Sequence, residues 1–233
     1  MNIAVLTAGG VGSRLNNNIP KQFLTVNDIP IIIYTLQRFQ DDKSIDKIII
    51  ACLKEWQPAL LAYKKEFNID KLEWIVEGGG TGAESIVNCL NKLSEEYSSD
   101  TTIIVHDGNR PLVSHDVIKD ALEVYEKYGN AIACLPSTEV LLSVSDESPH
   151  CSGKSLNRDA IKRTQTPHVF ALGEVSQLYE DSFKKGLSPV APCDAALLNN
   201  HPVYLSKGSE LNFKITTPED LRILKALIKD GIR

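Results

Sequence analysis

Residues 2–15 read NIAVLTAGGVGSRL, and this stretch decides the fold. Ile3 to Thr7 is a short apolar run of β-forming residues that breaks at a glycine pair, the pattern of a buried strand. Glycines at a strand-to-helix turn let backbone N–H groups approach phosphate oxygens, and the helix N-terminus adds favourable partial charge. Two common phosphate loops are excluded. A P-loop needs Gly-Lys-Ser/Thr after four intervening residues, which is absent here. A dinucleotide fingerprint needs a third small residue where Leu15 stands. The glycines alone remain compatible with a tight core turn. The cations that follow favour the phosphate reading: Arg14 lies within the loop and Lys21 in the segment NIPKQF (18–23). Two cations around a glycine cradle suit a triphosphate whose α-phosphorus is under attack, because they stabilise the negative charge that builds in the transition state.

Further along, short β-rich runs alternate with amphipathic stretches. Ile3 to Thr7, Lys47 to Cys52, Leu72 to Val76, Thr101 to His106 and Ala131 to Leu135 read as buried strands. Pro30 to Gln40, Gln57 to Phe67, Ala83 to Tyr97 and Ser114 to Tyr128 carry helical spacing, and Ser114 with Asp116 makes a helix start. Repeated β-α-β units imply an α/β, Rossmann-like, mostly parallel twisted sheet with helices on both faces. The alternation breaks between Glu139 and Asp159, where VLLSV, a polar turn and KSLN read as a projecting β-arm. Helix and strand signals resume from Gly173, and a last helix follows Thr217 with Pro218 in its first turn. Residues 1–233 are expected to form a single domain, with the arm at 139–159 inside it.

Composition narrows the function. Hydrophobic residues are 42% and charged residues 24% of the chain, and the net charge of −5 argues against a nucleic-acid partner. No apolar run approaches the ~20 residues that span a bilayer, so no membrane partner is expected. The five cysteines are scattered without a CxxC pair, the pattern of reduced thiols in a cytoplasmic protein, and the dispersed histidines outline no zinc site.

Four motifs in order, AGGVGSR…PKQF, IVHDGNRP (104–111), RTQTPHVF (163–170) and NFKITTPEDL (212–221), resemble the cytidylyltransferases for methylerythritol phosphate and ribitol phosphate. The resemblance covers essentially the whole chain. It implies CTP as nucleotide, a small polyol phosphate as acceptor, Mg²⁺ as cofactor, and a homodimer whose arms reach into the neighbouring site. By position it places Ala8, Gly9, Gly10 and Gly12 on the nucleotide and Arg14 and Lys21 on its phosphates. Gly79 and Ser85, in EGGGTGAES (77–85), match the segment that reads the cytosine. Asp107 falls near the metal and ribose, also the sheet edge where ligand chemistry is expected on physical grounds. Arg110, Arg158, Thr166 and Lys214 correspond to groups around the acceptor phosphate, with Arg158 serving the partner subunit's site. Arg14, Lys21 and Lys214 are therefore the expected catalytic groups. A phosphate monoester is largely dianionic near neutral pH and attacks without a protein nucleophile, so His106 and His168 are expected to be packed or hydrogen-bonded.

The chain departs from the family pattern at several positions. Gly82 stands where arginine is usual, Val140 about where the arm offers a threonine, and His168 where glutamine follows Thr-Pro. Leu211, before the Asn212-x-Lys214 motif, and Pro192-Cys193-Asp194 resemble the ribitol phosphate branch, which includes enzymes for teichoic acid and capsule precursors. D-ribitol 5-phosphate is thus the first-choice acceptor. Related alditol phosphates and then 2-C-methyl-D-erythritol 4-phosphate follow. A sugar-1-phosphate nucleotidyltransferase and a non-catalytic nucleotide-binding homologue are the competing readings; PKQF speaks against the former, and the retained Arg14, Lys21, Asp107 and Lys214 against the latter.

Overall fold

Strands that are apolar along their whole length need cover on both faces, and that requirement organises this chain. The structure, a computed structural model, describes residues 1–10, 19–145 and 149–232. Its first half runs β1 (Asn2–Ala8), a tight hairpin of β2 (Thr25–Val26) and β3 (Ile29–Pro30), α1 (Ile31–Asp41), β4 (Lys47–Cys52), α2 (Gln57–Glu66), β5 (Leu72–Glu77) and α3 (Gly82–Ser94). Then come β6 (Thr102–Asp107), α4 (His115–Tyr128), β7 (Ala131–Pro136), the arm strands β8 (Leu141–Ser143) and β9 (Lys154–Leu156), and β10 (Lys162–Ala171). The chain closes with α5 (Leu172–Lys184), α6 (Pro192–Leu198), β11 (Leu205–Lys207) and α7 (Pro218–Lys229).

Seven strands form one sheet in the order β11-β7-β10-β6-β1-β4-β5. All neighbours are parallel except β10, which runs antiparallel to both β6 and β7. Side chains alternate across β1. Ala4, Leu6 and Ala8 join the core under α1, α2 and α4, whereas Ile3 and Val5 join the core under α3, α5 and α6. A smaller cluster of Val26, Ile31, Leu112, Ile215, Leu224 and Ile228 docks α7 beside α1. That helix starts on a capping box in which Thr217 and Asp220 satisfy each other's backbone N–H groups.

Most expected elements form within a few residues of the stated bounds. Helix α3 is shorter than the expected Ala83 to Tyr97: it stops at Ser94, and Tyr97 packs edge-on against Trp74 of β5. The larger correction is β10. Its ten residues precede Gly173, where regular structure was expected to resume, and they include Pro167 behind a cis Thr166–Pro167 bond. Proline cannot donate to a ladder and argues against a central strand, but here the β10–β7 register shifts between Thr164 and His168. The proline falls in that irregular stretch. The arm strands form a separate antiparallel pair, Leu141 opposite Leu156. Val140, Leu142 and Val144 stand 70%, 62% and 58% exposed along it, an apolar edge that this chain leaves uncovered.

Candidate active site

The parallel strands β1, β4, β5 and β6 all end at the same edge of the sheet, and their following loops converge there. Gln22, itself buried, sends its side-chain amide to the carbonyls of Ala8 (2.5 Å) and Gly10 (3.1 Å), fastening the end of β1. A Cβ on Gly9 would lie 2.9 Å from Ser85 Oγ and 3.3 Å from Gly78 Cα, so the two glycine segments touch backbone to backbone. Ser85 Oγ accepts the Gly79 N–H at 3.0 Å and donates to the Thr81 carbonyl at 2.9 Å. Glu84 accepts the Gly80 N–H at 2.7 Å, while Thr81 caps α3 through the Glu84 N–H. The Gly79 and Gly80 amide protons are thereby used within the loop and its helix. The carbonyls of Gly79 and Gly80 receive no hydrogen bond among the described residues. A Cβ on Gly82 would meet open space, so the edge of the site is vacant where the family pattern has arginine. Gln22→Ala is expected to leave two carbonyls unpaired and destabilise the fold by about 1–3 kcal/mol. A thermal unfolding midpoint equal to that of the parent would contradict this.

At the end of β6, Asp107 accepts hydrogen bonds from Lys214 Nζ on Oδ1 and from Arg110 Nε on Oδ2, both at 2.9 Å. Burial by itself pushes this carboxyl up, but Lys214 and then Arg110 outweigh it and hold the group well below the usual carboxylate range. The segments carrying these residues are laced together over about a hundred positions. Arg110 Nη1 reaches the Asn212 carbonyl at 2.7 Å, and Asn109 exchanges two hydrogen bonds with the backbone of Ile215. Asn212 in turn donates to the Thr166 carbonyl at 2.7 Å. The HDGNRP turn and the NFKIT segment thus form one rigid cationic platform.

β10 supplies the remaining wall. Thr164, Gln165, Thr166 and His168 all line the cavity, which the strict alternation of a regular strand would forbid. The bulge between Thr164 and His168 re-aims them. Thr166 Oγ1 accepts the Asp107 N–H at 3.1 Å and donates to His106 Nδ1 at 3.0 Å, because the Arg110 carbonyl can only accept and holds the ring proton of the neutral imidazole on Nε2. His106 Nε2–H then donates to the Arg110 carbonyl at 3.2 Å. Burial pushes the His106 pKa down to about 3, consistent with this neutral, hydrogen-bonded ring. Both histidines were expected to be packed or hydrogen-bonded; His106 is hydrogen-bonded, whereas His168 is packed, with both nitrogens lacking a hydrogen-bond partner among the described residues.

These walls enclose a cavity of about 680 Å³. Of the residues singled out from the sequence, Ala8, Gly9, Gly10, Lys21, Gly79, Ser85, Asp107, Arg110, Thr166 and Lys214 all line it. Gly12 and Arg14 lie outside the described residues. Arg158 is not among the lining residues: it sits half-exposed at the base of the arm, with Nη1 on the Thr138 carbonyl at 3.1 Å. Sequence reasoning missed Gln22, the Asn109–Ile215 and Asn212–Thr166 ties, and the internal use of the Ser85 hydroxyl. Its one available signal was the Thr-x-x-Glu spacing of Thr81 and Glu84, which marks the start of α3.

A glycine cradle and a buried carboxylate with two cations, facing each other across the end of a parallel sheet, define an α/β enzyme of the nucleotidyltransferase kind. The profile of the IspD family, described as 2-C-methyl-D-erythritol 4-phosphate cytidylyltransferase, matches residues 2–230, and the chain belongs to that family. It is 34% identical to a ribitol-5-phosphate cytidylyltransferase of Lacticaseibacillus paracasei over 97% of either chain. It is 33% identical to a 2-C-methyl-D-erythritol 4-phosphate cytidylyltransferase of Clostridium novyi over 98% of this chain and 97% of that one. The crystal structure of the Francisella tularensis 2-C-methyl-D-erythritol 4-phosphate cytidylyltransferase superposes with a TM-score of 0.80 at 27% identity, covering 97% of this chain and 98% of that one.

Proposed function

We propose that this chain transfers the cytidylyl group of CTP to D-ribitol 5-phosphate and releases pyrophosphate. The observation that carries this reading is the Arg110–Asp107–Lys214 platform set across one cavity from the Ala8–Gly10 cradle. An acceptor phosphate over the platform would face the α-phosphorus of a triphosphate lying in the cradle. One phosphate oxygen attacks the α-phosphorus and forms the new P–O bond. The bond to the bridging oxygen breaks, and its electron pair leaves with pyrophosphate. The acceptor is largely dianionic at neutral pH, so no protein base is required. Holding two anions in line and screening their repulsion is the main task of the protein. Lys21 and Arg14 do this at the triphosphate, Lys214 and Arg110 at the acceptor.

Asp107 suits Mg²⁺, which commonly takes one or two carboxylates and completes its shell with substrate phosphates and water. It is ionised, lies at the sheet edge, and each oxygen keeps lone-pair capacity beyond its single cation contact. When bound, Mg²⁺ neutralises charge on the triphosphate. The Gly79 and Gly80 carbonyls would accept from the exocyclic amine of cytosine; uracil would present an oxygen to them instead. Turnover with CTP is expected to exceed that with UTP by about 10–10² in kcat/KM. A pyrophosphate-release assay crossing four nucleoside triphosphates with a panel of alditol phosphates, with and without Mg²⁺, tests the nucleotide, acceptor and metal together. Equal rates with CTP and UTP would overturn the base assignment, and CTP binding without pyrophosphate release would mark a non-catalytic homologue. The methylerythritol phosphate enzyme is the second reading, favoured by the family profile and the Clostridium novyi relative; preferential turnover of that acceptor would establish it. With ribitol 5-phosphate as acceptor the product would be a cytoplasmic CDP-ribitol of the kind that feeds teichoic acid or capsule assembly.

The whole of residues 1–233 acts as one domain whose arm, 139–159, pairs two copies into a homodimer. Support comes from the uncovered Val140, Leu142 and Val144 and from the marginal stability of an isolated two-stranded hairpin. Arg158, away from the cavity of its own chain, would then reach the acceptor phosphate of the partner. Mixing an Arg158→Ala chain with a Lys21→Ala chain should restore substantial activity, because one site of each mixed dimer carries neither lesion. Mixed dimers as inactive as their parents would place Arg158 in its own subunit's chemistry or in none.

A further inference from the structure

Resting on the transfer reaction proposed above, we infer that His168 selects the acceptor by hydrogen-bonding a hydroxyl of its carbon chain. The ring is 2% exposed, lines the cavity, and has no hydrogen-bond partner on either nitrogen. The Gln165 carbonyl is close enough to favour a proton on the ring, yet no hydrogen bond of acceptable geometry forms. A buried polar group without a partner is destabilising and is rare in folded proteins. Its titratable and amide neighbours at this end of the cavity are engaged: His106 by Thr166 and Arg110, Gln165 by Ser209, and Asp107 by Lys214 and Arg110. His168 lines the cavity with both ring nitrogens buried and unpaired among the described residues.

Its place in the sheet assigns the ligand. The cradle and the glycine loop lie over β1, β4 and β5, whereas His168 lies on β10, beyond β6 and its Asp107. The acceptor, and not the nucleotide base, occupies that side. The apolar Val190, Ala191 and Pro192 at the start of α6 line the same cavity and offer a polyol chain no side-chain hydrogen bond. Burial pushes the His168 pKa down to about 4, so the ring is neutral at working pH and carries one donor and one acceptor. A hydroxyl can use either. A carboxylate or second phosphate would meet only one neutral donor.

The test compares the parent with His168→Phe and His168→Gln. With His168→Phe, kcat/KM for ribitol 5-phosphate should fall about 10–10²-fold with the KM for CTP unchanged. His168→Gln, which keeps a donor and an acceptor, should recover most of that loss. A monodeoxy acceptor lacking the contacted hydroxyl should be discriminated against by the parent and far less by His168→Phe. In the parent protein, the imidazole ¹⁵N signals of His168 should move when ribitol 5-phosphate is added and stay in place with CTP alone. Ribitol 5-phosphate turned over by the parent, with His168 signals unmoved and His168→Phe fully active, would overturn this inference. Failure of every alditol phosphate to react with the parent would instead remove the acceptor reading on which it rests.

Discussion

Lys21→Ala is expected to lower kcat by about 10²–10³ while the fold stays intact, the scale of losing one preorganised charge at a transition state. The side chain can be shortened without loosening the segment because its neighbours hold the backbone. Gln22 is tied to the end of β1, and Phe23 stacks on Trp56 with ring centroids 4.4 Å apart. Lys21 lines the cavity beside the glycine cradle, where on the proposed transfer negative charge would grow as the pentacoordinate α-phosphorus forms. A cation there stabilises the transition state more than the bound triphosphate, so the loss falls on kcat. Arg14→Ala should behave alike, on the strength of its position in the loop. Pyrophosphate-release kinetics with thermal unfolding as a control decide the matter. A near-normal kcat with only KM raised would make either residue a binding group.

The second large effect concerns the platform. Asp107→Asn and Lys214→Met are each expected to cost about 10²–10³ in kcat/KM, and the double variant little more than the worse single one. The two side chains work as one unit: Asp107 holds Lys214 at 2.9 Å, and without the carboxylate the lysine and Arg110 are partly buried cations lacking a counter-charge. Fully multiplicative losses would show that they act separately. Asp107→Asn also predicts a change in acid stability. The folded carboxyl ionises below its unfolded value of about 3.9. Its contribution is therefore complete above that value and is lost as pH falls below it toward the folded pKa. The variant should be less stable than the parent at neutral pH, and the gap should narrow as the pH drops through 4. A gap that stays constant or widens on acidification would mean that the carboxylate is not stabilised by its two cations.

Local patterns carried a large part of the fold. The apolar runs at Ile3 and Lys47, the serine cap at Ser114 and the Thr217–Pro218 helix start are set by neighbours in the chain, and each formed where its pattern lay. These cavity-lining residues were legible for the same reason: Ala8–Gly10 and Lys21, Asp107 and Arg110, and Lys214 each sit in a short motif whose residue types suit only a few tasks. β10 was not legible, because a proline at its centre contradicts strand propensity, and a register shift against β7 accommodates it. Nor could local sequence show that Ser85 spends its hydroxyl on the loop that carries it, or that Asn109 and Asn212 bind backbone about a hundred and about fifty residues away, respectively. The contrast between the histidines makes the division plain. His106 and His168 look alike as residues on buried strands, yet one has both nitrogens engaged and the other has neither. Which of them is free to meet a ligand depends on where Thr166 and the Arg110 carbonyl lie in space, and that is decided by the pairing of β6 with β10.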